Sequence, residues 1–138
     1  MNADFVDSHE RHLEDANQLF TSGRYANADQ LYGFSVECGL KSLMLAFGMP
    51  FNNVKQMPAN QSDSVHADKV WDRFESYRSS HSSGANYQLS GTNPFNDWSA
   101  SQRYHNQSSF DAVKVSPHQA AAVQVNQLIK NAKLAGLV

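Results

Sequence analysis

The chain has 138 residues, a net charge of −2 and a pI near 6.3, which excludes a domain that holds nucleic acid by bulk positive charge. That length suits one domain, burying roughly two-thirds of the surface its unfolded chain exposes. Cys38 is the only cysteine, which excludes an internal disulfide. No charged-then-apolar leader opens the chain, and no apolar run reaches the length of a membrane span. A soluble, cytoplasmic protein with no membrane association is expected.

The first segment, from about Asp4 to Ser22, places Phe5, His9, His12, Leu13, Ala16, Leu19 and Phe20 near one stripe at helical spacing. Gly23 then supplies the left-handed residue that ends a helix. The second segment, from about Tyr25 to Phe47, carries apolar residues on more than one face, including Leu31, Phe34, Val36, Leu40 and Leu43. A helix apolar on several sides is buried on several sides, so this is the central helix. Gly33 and Gly39 inside it each cost about 1 kcal/mol against alanine, which suggests close approach of another backbone. Residues 50–63 hold two prolines and several amides and read as a loop.

A third helix is predicted over about Ser64–Ser80, with Ala67, Val70, Trp71, Phe74, Tyr77 and Arg78 on one face. Residues 81–97 are irregular; loops of this length inside a domain tend to be functional or mobile. Ser99 and Gln102 have capping-box spacing, which predicts a short turn near SASQRYHN. The last helix is predicted to start at SPHQ, with Ser116 as cap and Pro117 at the first position. It presents Ala121, Val125, Leu128 and Ala132 inward and stops at Gly136. The fold expected is all-α: an up-and-down bundle of four main helices plus a short fifth, with no strand pairing.

Glu37 and Lys41 lie one turn apart in the most apolar run of the chain, LYGFSVECGLKSLML. Asp29, Gly33, Glu37 and Lys41 continue one line at i+4 spacing. On one reading that line is the solvent face of the central helix, and the pair is worth about 0–1 kcal/mol. On the other it lines a groove, where desolvated charges need partners. Trp98, Arg103, Tyr104 and His105 supply those partners in a stretch with no core pattern of its own, so Glu37 is expected to meet Arg103 or Tyr104.

The stretch RHLEDANQLFTSGRYANADQLYGFSVECGLKSLML, with GRYANA at residues 23–28 and ECGLKSLM at 37–44, resembles the first helical hairpin of HEPN-type domains. The later RYHN stretch resembles that family's arginine-containing segment. The likeness is best over residues 10–47 and weaker over 98–138. It implies a helical bundle, a homodimer, and one of two roles. Some HEPN proteins are metal-independent ribonucleases of toxin–antitoxin or defence systems, with an Arg-x4-6-His pattern completed across a dimer. Others lack that site and bind nucleotidyltransferase-type partners or act as interaction modules.

Arg103 and His105 carry the chemistry for RNA cleavage, a cation for the phosphate and a group that moves protons. Their spacing departs from the family pattern: His105 follows Arg103 by two positions and His118 by fifteen. Arg73 and Arg78 precede His81 by eight and three. On a helix, residues two apart point about 200° apart. The sequence therefore favours a non-catalytic or partner-dependent module that binds a protein, a nucleotide or RNA in a groove flanked by Asp29, Glu37, Lys41, Trp98, Arg103 and Tyr104. A ribonuclease using Arg103 and His105, or a structural helical protein, are the alternatives. His9 and His12 form an i, i+3 pair without a second ligand pair, so no metal is expected. There is no Gly-rich phosphate loop, and no cofactor is expected. An apolar surplus on the central helix would favour association into a dimer.

Overall fold

Asp4 opens the first helix, α1 (Phe5–Thr21), by accepting the Asp7 amide at 2.9 Å. At the other end Gly23, at φ +74°, lets its own amide reach Phe20 O and the Arg24 amide reach Leu19 O at 2.8 Å. That closure satisfies the last carbonyls and reverses the chain. The second helix, α2 (Tyr25–Ala46), follows at once. The pairing is antiparallel: Tyr32 Oη donates to Asn17 at 2.7 Å, while further along α2 Ser35 Oγ donates to His9 O at 2.9 Å.

The computed structural model describes residues 1–138. Two further helices, α3 (Ala67–Arg78) and α4 (Ala112–Leu134), complete the main framework, joined by short 3₁₀ turns. The chain is mostly helical, as expected. Residues 50–63 are not wholly irregular: β1 (Phe51–Asn52) pairs antiparallel with β2 (Met57–Pro58). Asn52 Oδ1 caps the intervening turn by accepting the amides of Val54 and Lys55. A pairing of two residues per strand is too short to leave an alternating pattern in sequence.

The central helix is α2. Ala28, Tyr32, Val36, Leu40, Leu43 and Met44 are wholly buried on it, and α1, α3, α4 and the turn at Ala100–Tyr104 all pack against it. Much of its apolar surplus, the sequence-level reason for expecting association, is covered by its own chain, while Leu31, Phe34 and Leu45 stay partly exposed. The start of α3 lies beside the middle of α2, where His66 meets Glu37. Phe74, later in α3, packs on Phe47 at the end of α2. The chain thus doubles back through residues 48–66 before α3 begins, rather than turning tightly from the end of α2 as an up-and-down hairpin would. Buried Asp63 fixes this return: it accepts from Arg73 Nε and Tyr77 Oη, both at 2.7 Å.

The last helix starts earlier than Ser116. Asp111 is its cap, accepting the Lys114 amide at 2.8 Å, and Pro117 lies inside the helix. The missing proline amide leaves the carbonyl of Val113 without its helical donor. Val113 is exposed, so that carbonyl lies where solvent can reach it, and the helix runs through. The inward residues Ala121, Val125, Leu128 and Ala132 are all buried.

Both helix-interior glycines are tightly packed, but by side chains rather than by a backbone. At Gly33 an added Cβ would lie 2.2 Å from the Trp98 ring; at Gly39 it would lie 2.6 Å from Val125 Cγ1 and 2.7 Å from His9 Nδ1. Alanine at 39 would gain about 1 kcal/mol of helix propensity, against about 1–3 kcal/mol for overpacking. We expect Gly39→Ala to lower stability in urea unfolding, by up to about 2 kcal/mol. Stabilisation would show that the junction of α1, α2 and α4 is loose.

Candidate functional site

Asp29, in the second turn of α2, is fully buried. Its Oδ1 lies 2.5 Å from His118 Nδ1 on α4. Its Oδ2 accepts Gln102 Nε2 at 2.7 Å, and its backbone carbonyl accepts Trp98 Nε1 at 2.9 Å. The other nitrogen of His118, Nε2, faces Asp97 Oδ1 at 2.8 Å and Pro94 O at 3.0 Å. Phe95 stacks on the imidazole, with centroids 4.6 Å apart and planes at 15°. Acceptors face both ring nitrogens, an arrangement that favours the protonated ring. Burial alone pulls its pKa down; the hydrogen bond and charge of Asp29, then of Asp97, outweigh burial and hold it above its ordinary 6.5.

This cluster is a clamp. His118 is 1 % exposed, and Phe95 covers its ring. It joins α2, α4 and the segment 94–102, which has little regular structure of its own. The Trp98 indole fills the space above Gly33 and is itself buried. Gln102 serves twice: its Nε2 holds Asp29, while its Oε1 accepts the Ser99 amide in the capping box read from the sequence.

Clamped in this way, the segment presents its far end to the start of α2. A pocket of about 120 Å³ is lined there by Arg24 just before α2, by Ala26 and Asn27 of its first turn, and by Gln102, Arg103, His105 and Gln107. The turn Ala100–Tyr104 ends before His105, whose backbone is extended (φ −79°, ψ 154°). The helical argument against convergence of Arg103 and His105 therefore does not apply, and both line the same pocket. Arg103 is held in place: Nη1 donates to Ala100 O at 2.6 Å, Nη2 to Tyr104 Oη at 3.1 Å, and the guanidinium lies 4.6 Å from the Tyr104 ring centroid. Tyr104 is 77 % exposed.

Glu37 and Lys41 do not belong to this site. Glu37 Oε1 accepts Lys41 Nζ at 2.8 Å and Oε2 pairs with His66 Nδ1 at 3.0 Å. Asp29 lies two turns away, about 12 Å along the helix axis. The expected contact of Glu37 with Arg103 or Tyr104 is absent because each side already has its own partners. Nor is the line Asp29, Gly33, Glu37, Lys41 a solvent face: the side chains of Glu37 and Lys41 are only 17 % and 7 % exposed, because α3 begins on top of them. His9 is also engaged, with Nδ1 donating to Ser35 O at 2.8 Å and Nε2 3.2 Å from Asn126 Oδ1; burial holds its pKa below the ordinary value.

Arg24 and His118 are the residues that the sequence left unassigned. Arg24 stands at the N-cap of α2 and makes no cap hydrogen bond. Ser, Thr, Asp or Asn is usual at that position, and a cation is the charge a helix start disfavours. That mismatch was the available signal. His118 stands one turn before Ala121 on the buried stripe of α4, the only ionisable member of it. No protein-family model, no curated protein and no solved structure matches the chain.

Removing one partner of a buried charge pair costs about 3–5 kcal/mol, so His118→Ala should lower stability by that order in denaturant unfolding. The pH dependence has a definite sign. The folded pKa is raised, so the stability from His118 is fully present below about 6.5, its unfolded value. It is lost as pH rises through the higher folded pKa. His9 and His12, whose pKa values are lowered, act in the opposite sense, so the test is the difference between wild type and His118→Gln. That difference should shrink from pH 6 toward alkaline pH; growth with pH would show a neutral His118.

Proposed function

We propose that this chain is a HEPN-like helical module that binds RNA or a nucleotide through phosphate, and does not cut it as a single chain. The observation that carries this reading is the meeting of GRYANA and RYHN in one pocket. These are the segments on which the family resemblance rests, 79 positions apart from Arg24 to Arg103, and they bring Arg24, Arg103 and His105 together. No acidic residue lines the pocket. Two guanidinium groups there give charge-assisted hydrogen bonds to phosphate oxygens. Exposed Tyr104, with Arg103 over its ring, offers a face on which a base can stack, worth about 1–3 kcal/mol.

Binding without cleavage is supported by the histidines. A catalytic imidazole needs a partner that orients it. His118 is buried beneath Phe95 with both nitrogens engaged, out of reach of a substrate. His105 ends the 3₁₀ turn on an exposed surface, with no carboxylate within 4 Å of its ring. Arg103 and His105 thus serve in binding.

The test is titration of a short single-stranded RNA at several salt concentrations. Arg24→Ala and Arg103→Ala should each weaken binding about tenfold or more, the value of a charge-assisted hydrogen bond. Each should also reduce the slope of log K against log salt by about 0.7, the share of one phosphate contact on a single strand. RNA incubated with the protein without added metal should stay intact. Cleavage that disappears in His105→Ala would replace this reading with the ribonuclease.

A further inference from the structure

The size and charge of the pocket narrow its ligand, given the phosphate-binding reading above. Its volume is about 120 Å³. Sites that enclose a drug-sized molecule span about 300–1,000 Å³. The pocket lies below that range, a size that suits a single phosphoryl group better than a whole nucleotide.

Charge separates two kinds of phosphoryl group. A linkage inside an RNA chain carries one negative charge; a terminal phosphomonoester carries about −1.5 to −2 at pH 7. Arg24 and Arg103 both line the pocket, and neither has a carboxylate within 4 Å. Arg103 spends two of its five donors on Ala100 O and Tyr104 Oη, leaving three. Two unneutralised cations match a dianion better than a monoanion.

Arg24 also borders an open groove of about 440 Å³, lined by Asp15, Gln18, Leu19, Ser22 and Leu31, which offers a place for the nucleoside next to a phosphate held by Arg24.

We infer that the pocket formed by Arg24, Arg103 and His105 takes the terminal phosphomonoester of an RNA or nucleotide in preference to an internal phosphodiester. Calorimetric titration of three forms of one short RNA tests this: 5′-phosphorylated, 3′-phosphorylated, and hydroxyl at both ends. At least one phosphorylated form should bind ten times more tightly than the hydroxyl form. That advantage should vanish in Arg24→Ala and in Arg103→Ala, while their thermal unfolding stays that of wild type, since both side chains are exposed. Equal, arginine-dependent affinity for all three forms would overturn end recognition and leave the phosphate-binding reading standing. An end-phosphate advantage that survives both substitutions would overturn the placement. Failure of all three RNAs to bind would overturn both readings.

Discussion

His118 ties the core of this molecule together, joining buried Asp29 through one ring nitrogen to the more exposed Asp97 through the other. The partners are 89 and 21 positions apart in sequence, so the contact closes the fold rather than any local element. Taking an ion out of water costs several kcal/mol even after relaxation. Here Asp29 meets that cost with the His118 ring on one oxygen and an amide donor on the other, and His118 with an acceptor on each nitrogen. Apolar residues of similar volume would fill the same space at no worse stability. They would not fix direction. A hydrogen-bonded charge demands one geometry, and that geometry sets where residues 94–102 lie.

The position of the pocket follows from that constraint. Residues 98–107 contain only short 3₁₀ turns, and a turn of that kind carries too few hydrogen bonds to stand alone. Trp98 over Gly33 and Gln102 on Asp29 anchor it to α2. Arg103 and His105, immediately beyond those anchors, face the start of the same helix. Gln102 thus ties this segment to α2 through Asp29 while capping its own turn. The pair Glu37–Lys41 has a separate role. With His66 it receives the N-terminus of α3 on the middle of α2, so a carboxylate on an apolar helix marks a docking point between helices.

The helices themselves were legible in the sequence, because apolar spacing at 3.6 residues and glycine after the last turn act over a few residues. So were the capping box at Ser99 and Gln102 and the buried stripe of α4. The start of α4 was misplaced because Ser116-Pro117 imitates a helix start, while the cap at Asp111 does the work. Asp29 was legible only as a polar residue on a polar line. Its neighbours Gly33, Glu37 and Lys41 share that line but not its surroundings, and periodicity does not say what lies opposite.

Sequence alone determined that the chain is mostly helical, that α2 is central, and that the RYHN stretch has no core pattern of its own. Tertiary structure alone decided that Asp29 pairs with His118, that Glu37 turns to Lys41 and His66, and that Arg24 meets Arg103. Helix formation depends on neighbours within four residues, so a linear reading captures it. The partner of a buried charge depends on which side chain the packed core brings within 3 Å, and that distance exists only once the chain has folded.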